Sequence, residues 1–253
     1  EETIPPRALS FALLAARQVQ LEYVLDEGGA IATGLVPGLP GPVALVGIAE
    51  KGYVSLELTV QGEGGHSSMP PAQTAAGVLS AAVARLEARQ MPRHIRGATA
   101  AMLDYIGPEM AFSSRLAFAN RWLFGGLIER RFGATPGGNA LLRTTIAPTM
   151  LEAGVQDNVL PSSARAVVNF RILPGDSVAA VLTHVRQAID DPRVKIRVLP
   201  ATVSEPSPVS PVASESFRLL QRTIRQVAPG AVVTPWLVVG GTDSRHFTGL
   251  TPN

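Results

Sequence analysis

The sequence predicts an α/β chain interrupted by an inserted α+β domain. Three observations predict it. From residue 52 the hydrophobic patterns run strand, helix, irregular stretch, strand, strand, helix, strand, the split βαβ order of a ferredoxin-like sandwich. The flanking segments pair short apolar strands with amphipathic helices, as an α/β layer does. A Pro/Gly-rich stretch at 37–42 and a break at Ser207-Pro208 mark the joins. This reading divides the chain into residues 1–49, the first part of an α/β domain, and 50–205, the inserted domain with a helical insertion at about 92–140. Residues 206–253 form the second part of the α/β domain.

Residues 7–19 read as an amphipathic helix entered after Pro5-Pro6, where proline is tolerated. Residues 21–25 read as a short apolar strand ending at Asp26-Glu27 and the turn residues Gly28-Gly29. Residues 43–48 are a second apolar strand. From 52 to 61, Val54, Leu56, Leu58 and Val60 alternate with Ser55, Glu57, Thr59 and Gln61, which predicts a half-exposed antiparallel strand. A helix over 72–89 follows Pro70-Pro71. Residues 142–151 and 164–172 are strands, 177–189 a helix and 194–199 a strand. A helix over 215–227 and a strand over 232–239 lead into a glycine-rich loop.

With 46% hydrophobic and 17% charged residues, the 253-residue chain is globular and not disordered. Its 22 Lys+Arg against 20 Asp+Glu form no basic tract, which argues against a nucleic-acid partner. No cysteine is present, so any metal must sit on His, Asp or Glu. No apolar run approaches the ~20 residues of a membrane span. The sequence leaves localisation open.

Five segments carry chemistry. Glu1-Glu2 is a pair of adjacent carboxylates whose side chains diverge, so one can ligate a metal while the other accepts a proton from water. Asp26-Glu27 sits at a strand end, where open α/β sheets bind ligands; a solvated turn is the plain alternative. His66 lies in Gly64-Gly65-His66-Ser67-Ser68, between a strand and a helix. A serine nucleophile with His66 as base is disfavoured, because adjacent His and Ser rarely align and the Gly-x-Ser-x-Gly elbow is absent. Asn158-Val159-Leu160-Pro161 precedes a strand ending in Asn169-Phe170-Arg171. Arg171 lies on the face opposite Ala164, Ala166, Val168 and Phe170, where a guanidinium can grip a carboxylate in two bonds or simply be solvated. Gly240-Gly241-Thr242-Asp243-Ser244-Arg245-His246 follows an apolar strand, its glycines permitting close backbone approach.

In this order the segments resemble the M20 family of zinc amidohydrolases and carboxypeptidases, closest to the carboxypeptidase S and N-acyl-amino-acid hydrolase branch, from end to end. The resemblance implies a zinc-exopeptidase-like α/β catalytic domain with an inserted lid and dimerisation domain. It implies that Glu1 is the general base and Glu2 a metal ligand. Glu27 is the next acidic ligand, with Asp26 as the alternative, and His246 is the C-terminal metal histidine. Gly241 and Thr242 would meet the substrate. His66 would stabilise the oxyanion, often in the partner subunit's centre, while Asn158 and Arg171 bind the substrate carboxylate. Two Zn²⁺ per site are implied, with Co²⁺ or Mn²⁺ as alternatives. The implied activity is amide hydrolysis of dipeptides or N-acyl amino acids by a homodimer joined through the inserted domain. The resemblance also implies truncation at both ends: a His-x-Asp segment and a second Asp are expected before Glu1, so the fragment alone is expected to be inactive. A rival reading is a non-catalytic, carboxylate-binding or dimerising module; finding those upstream ligands would discriminate.

Overall fold

The computed structural model describes residues 6–34 and 36–251; Glu1 and Glu2 lie outside them. Helix α1 (Pro6–Ala16) precedes the short strand β1 (Ile31–Ala32). Strands β2 (Val43–Glu50), β3 (Gly52–Gln61) and the two-residue β4 (Gly65–His66) follow, then α2 (Ala75–Ala88). Next come α3 (Gly97–Ile106), α4 (Phe112–Ala119), α5 (Arg121–Phe132) and α6 (Pro136–Leu142). Strands β5 (Thr145–Ala153), β6 (Val159–Leu160) and β7 (Ser163–Ile172) lead to α7 (Val178–Ile189) and β8 (Lys195–Val198). Helix α8 (Glu215–Val227) and strand β9 (Val232–Val238) complete the regular elements, with a 3₁₀ turn at Asp243–Phe247. The chain forms two compact units: residues 1–51, 94–142 and 207–253, and residues 52–93 and 143–206.

The second unit is an antiparallel sheet in the order β5-β7-β3-β8, the ferredoxin-like arrangement expected from the element order. β3 and β7 pair along their whole lengths, from Gly52↔Ile172 to Gln61↔Ser163. Inward-facing Val54, Leu56, Leu58, Val60, Ala166, Val168 and Phe170 pack with Leu79, Ala82 and Leu86 of α2 and Val181 and Val185 of α7 in one core. Both helices are capped: Thr74 Oγ1 accepts the Gly77 amide and Ser177 Oγ the Ala180 amide, each at 3.1 Å.

The polar face of β3 differs from the expected half-exposed strand. Ser55 and Glu57 are buried at 5% and 8% exposure. Asn169 donates to Ser55 Oγ at 3.2 Å. Glu57 accepts from Arg165 Nε at 2.6 Å and from Arg197 Nη2 at 2.8 Å. Arginine stems from both neighbouring strands cover this face, so polar identity does not report exposure here. Hydrogen bonds from Arg165 first, then Arg197, lower the pKa of Glu57.

The first unit holds the sheet β1-β2-β9, with β1 antiparallel to β2 and β2 parallel to β9. Residues 21–25 are not a strand: Leu21 N donates to Leu250 O at 3.2 Å, but no ladder follows. The helical segment expected at 92–140 inside the inserted domain groups with this unit instead. Its α3 buries Ala98, Thr99, Met102, Leu103 and Ile106 and packs on β9, where Thr234 Oγ1 donates to Met102 O at 3.4 Å. Tyr105 meets Phe217 of α8 edge-to-face at 5.8 Å. An apolar helix face carries no mark of which sheet it will cover, so its place in the chain was a poor guide.

Candidate active site

Parallel β2 and β9 end together, Glu50 pairing with Val238. Segments leaving this carboxyl edge are where α/β sheets place ligand-binding groups. Two of the expected segments meet there. Asp26 Oδ2 accepts the Ser244 amide at 3.0 Å, tying the acidic turn to the loop that ends at His246. Gly29 lets the end of this turn lie directly against β2, since a Cβ there would lie 2.5 Å from Leu45 O. A cleft of ≈330 Å³ opens beside these residues, with Asp26, Glu27, Glu50, Thr242, Ser244 and Arg245 among its lining. His246 is exposed. The Asp26 pKa is lowered, chiefly by a hydrogen bond with Glu27, whose own pKa that bond raises.

Among the described residues, no three His, Asp or Glu side chains gather to hold a metal. The carboxylate of Asp26 and the imidazole of His246 are donors of the types zinc accepts. The tie through Ser244 anchors the first beside the loop that carries the second. Glu2, the other expected ligand, and Glu1 lie outside the described residues. The donor types therefore fit part of a metal site.

The second unit brings together two motifs far apart in sequence. β4 pairs with β6, His66 opposite Val159, and Ser67 N donates to Asn158 O at 3.0 Å. The Ser68 amide donates to His66 Nδ1 at 3.2 Å, and Ser68 Oγ lies 2.8 Å from the same nitrogen. A backbone N–H can only donate, so Nδ1 is an acceptor and the neutral ring carries its proton on Nε2. His66 therefore presents a donor, the polarity an oxyanion needs.

Arg171 lies elsewhere. It pairs with Tyr53 across β3 and β7, and its guanidinium sits 4.5 Å from the Tyr53 ring centroid. Asn158 precedes β7 and Arg171 lies near its end. The eight residue steps from Ser163 to Arg171 span about 26 Å of strand. The length of β7 thus separates Arg171 from the Asn158 segment, the two positions expected to bind the substrate together.

Glu50 is the residue sequence reasoning missed. It is 5% exposed, and the neighbouring Lys51 is fully buried with Nζ donating to Ala140 O at 2.9 Å. The available signal was a Glu-Lys pair between two apolar strands with no turn residue before Gly52.

Residues 48–197 match the peptidase dimerisation domain of the M20 family, more than half of the chain. The chain is 45% identical over 240 residues to an N-fatty-acyl-amino acid synthase/hydrolase of Xenopus tropicalis, covering 94% of this chain and 46% of that protein. It is 44% identical over 233 residues to a probable carboxypeptidase S-like protein of Dictyostelium discoideum, covering 92% and 44%. The chain thus spans just under half the length of these relatives. Among solved structures, the M20 metallo-carboxypeptidase Sso-CP2 of Sulfolobus solfataricus shares the fold at TM-score 0.60 and 17% identity, over 95% of this chain and 65% of that one. The family match, the relatives and the shared fold agree: the chain belongs to the M20 metallopeptidase family, in the branch of carboxypeptidase S and the N-acyl-amino-acid hydrolases.

Proposed function

We propose that this chain is part of a metal-dependent hydrolase that cleaves the amide bond of small substrates bearing a free carboxylate. The tie between Asp26 and the loop ending at His246, at the carboxyl edge of a parallel strand pair, carries this reading. The name of the Xenopus relative supports N-acyl amino acids as substrates, and that of the Dictyostelium relative supports peptides. Glu2 and His246 would hold two Zn²⁺ with Asp26, together with donors supplied from outside this chain. Asp26 takes precedence over Glu27 because its carboxylate is the one anchored to the His246 loop.

When bound, the metals would lower the pKa of attacking water toward about 7 and polarise the scissile carbonyl. Glu1 accepts the water proton and passes it to the leaving amine. The Nε2–H of His66 donates to the carbonyl oxygen as negative charge builds there, worth roughly 10²–10³ in rate. Arg171 takes the carboxylate in two parallel bonds, with Gly241 and Thr242 against the substrate.

In an N-acyl amino acid, only three bonds separate the amide carbonyl carbon from the carboxylate carbon. His66 and Arg171 lie toward opposite ends of β7, so a single inserted unit does not serve both ends of so short a substrate. Two copies of the chain therefore share each site, one contributing His66 with Asn158 and the other Arg171. The activity is tested on the protein encoded by the whole reading frame that contains this chain. Release of free amino acid from N-acyl amino acids should stop with chelator and return with Zn²⁺. Turnover indifferent to chelator sinks the reading, and carboxylate binding without turnover favours the non-catalytic module.

A further inference from the structure

The loop at Gly240–His246 is held by a buried carboxylate to which the proposed mechanism gives no role. Glu50 ends β2, and Ser207 braces its backbone: Glu50 N donates to Ser207 Oγ at 2.8 Å, and Ser207 N donates to Glu50 O at 3.1 Å. Glu50 Oε1 accepts the Thr242 amide at 2.9 Å and the Thr242 hydroxyl through a short hydrogen bond. Ser244 Oγ lies 3.3 Å from the same oxygen and 2.7 Å from Thr242 Oγ1. The other oxygen, Oε2, is buried without a hydrogen bond and faces Arg245 Nε at 3.7 Å. Arg245 Nη2 in turn donates to Lys51 O at 3.4 Å. Even Gly241 fits this arrangement, because a Cβ there would sit 2.9 Å from Arg245 Nη1.

Taking a carboxylate out of water is costly unless donors and a counter-charge replace the lost hydration. Here they all come from one loop, so burial of Glu50 and placement of the loop are the same event. We propose that Glu50 is a positioning residue whose buried carboxylate clamps the Gly240–His246 loop and fixes where Thr242 and His246 are presented. The catalytic consequence rests on the proposed roles of Thr242 and His246; the clamp itself does not.

The test is amide hydrogen exchange of this chain, comparing wild type, Glu50→Gln and Glu50→Ala. Charge-assisted hydrogen bonds are about twice as strong as neutral ones, so losing them loosens the loop locally. Thr242 and Ser244 amides should exchange roughly 10-fold faster or more in the alanine variant. The glutamine variant, which keeps one acceptor, should fall between alanine and wild type, and β3–β7 amides should not change. In the protein encoded by the whole reading frame, zinc affinity should weaken in the same order. Wild-type exchange in the loop of Glu50→Ala overturns the proposal, as does equal acceleration across β2 and β9. If the alanine variant does not fold, Glu50→Gln decides: faster loop exchange supports the clamp, and wild-type exchange overturns it. His246→Ala separates the two claims, because it should remove metal while leaving the Thr242 amide at its wild-type rate. A His246→Ala protein that keeps its metal counts against the ligand assignment and leaves the clamp standing.

Discussion

Asn158 accepts the amide of Ser67 at 3.0 Å, which binds the Asn158 segment to the His66 segment across 92 residues of sequence. With His66 opposite Val159, the two segments form one corner of the second unit, and Arg171 lies near the other end of β7.

That division predicts complementation. His66→Ala and Arg171→Ala homodimers should each be impaired. Mixed dimers formed by subunit exchange should regain activity, because one of their two sites then receives an intact His66 from one chain and an intact Arg171 from the other. If both residues came from the same chain in each site, both mixed sites would be defective and no activity would return.

Arg171→Ala should act on recognition of the carboxylate. Losing one partner of a desolvated ion pair costs about 2 kcal/mol or more, roughly 30-fold in kcat/KM. The free-acid and amidated forms of one substrate provide the comparison. A mutant that still prefers the free acid as strongly as wild type removes Arg171 from this role. Tyr53→Leu, which deletes the ring beneath the guanidinium, should give a smaller loss in the same direction, about 0.5–1 kcal/mol.

Metal analysis of purified variants should separate ligands from bases. Asp26→Asn and His246→Ala should lower zinc content, whereas Glu27→Gln and Glu1→Gln should retain it. Glu27→Gln losing metal while Asp26→Asn keeps it would return the ligand role to Glu27.

Asp191 gives a pH prediction independent of the active site. Hydrogen bonds from Arg193, at 2.7 and 2.9 Å, hold its pKa down at about 2. The unfolded value is about 3.9, so the folded state favours the ionised form. The stability this contributes is present in full above about pH 4 and is lost as pH falls toward about 2. Asp191→Asn should flatten that part of the stability curve, measured by urea midpoint against pH; an unchanged slope would count against the pairing.

The inserted sandwich was legible because its strands carry strict alternation. Residues 52–61 were read at the limits they occupy, and the helices expected over 72–89 and 177–189 form as Ala75–Ala88 and Val178–Ile189. Three things were not legible. The apolar residues 21–25 lack a ladder, which composition cannot reveal. The helix at 97–106 covers β9 of the other unit, a choice made by shape in three dimensions. Burial of Glu50 and Glu57 was hidden because their partners, Thr242, Arg165 and Arg197, are more than 100 residues away. At the site, residue types were legible, but the separation of Asn158 from Arg171 required strand direction and register.

The pairing of β2 with β9 has a kinetic meaning. Val43 and Val232 are 189 residues apart, and the whole second unit is threaded between them. Closing so long a loop is entropically expensive, and contacts of such sequence separation form slowly. β3 and β7, with a core of their own, can assemble first and shorten the path that the ends must search. During synthesis β2 must wait, with its β9 edge unpaired, until Val232–Val238 have emerged. Pulsed hydrogen exchange during refolding should protect β3–β7 amides before those of β2–β9. The edge that carries Glu50 would then take shape only after the sandwich it flanks in sequence.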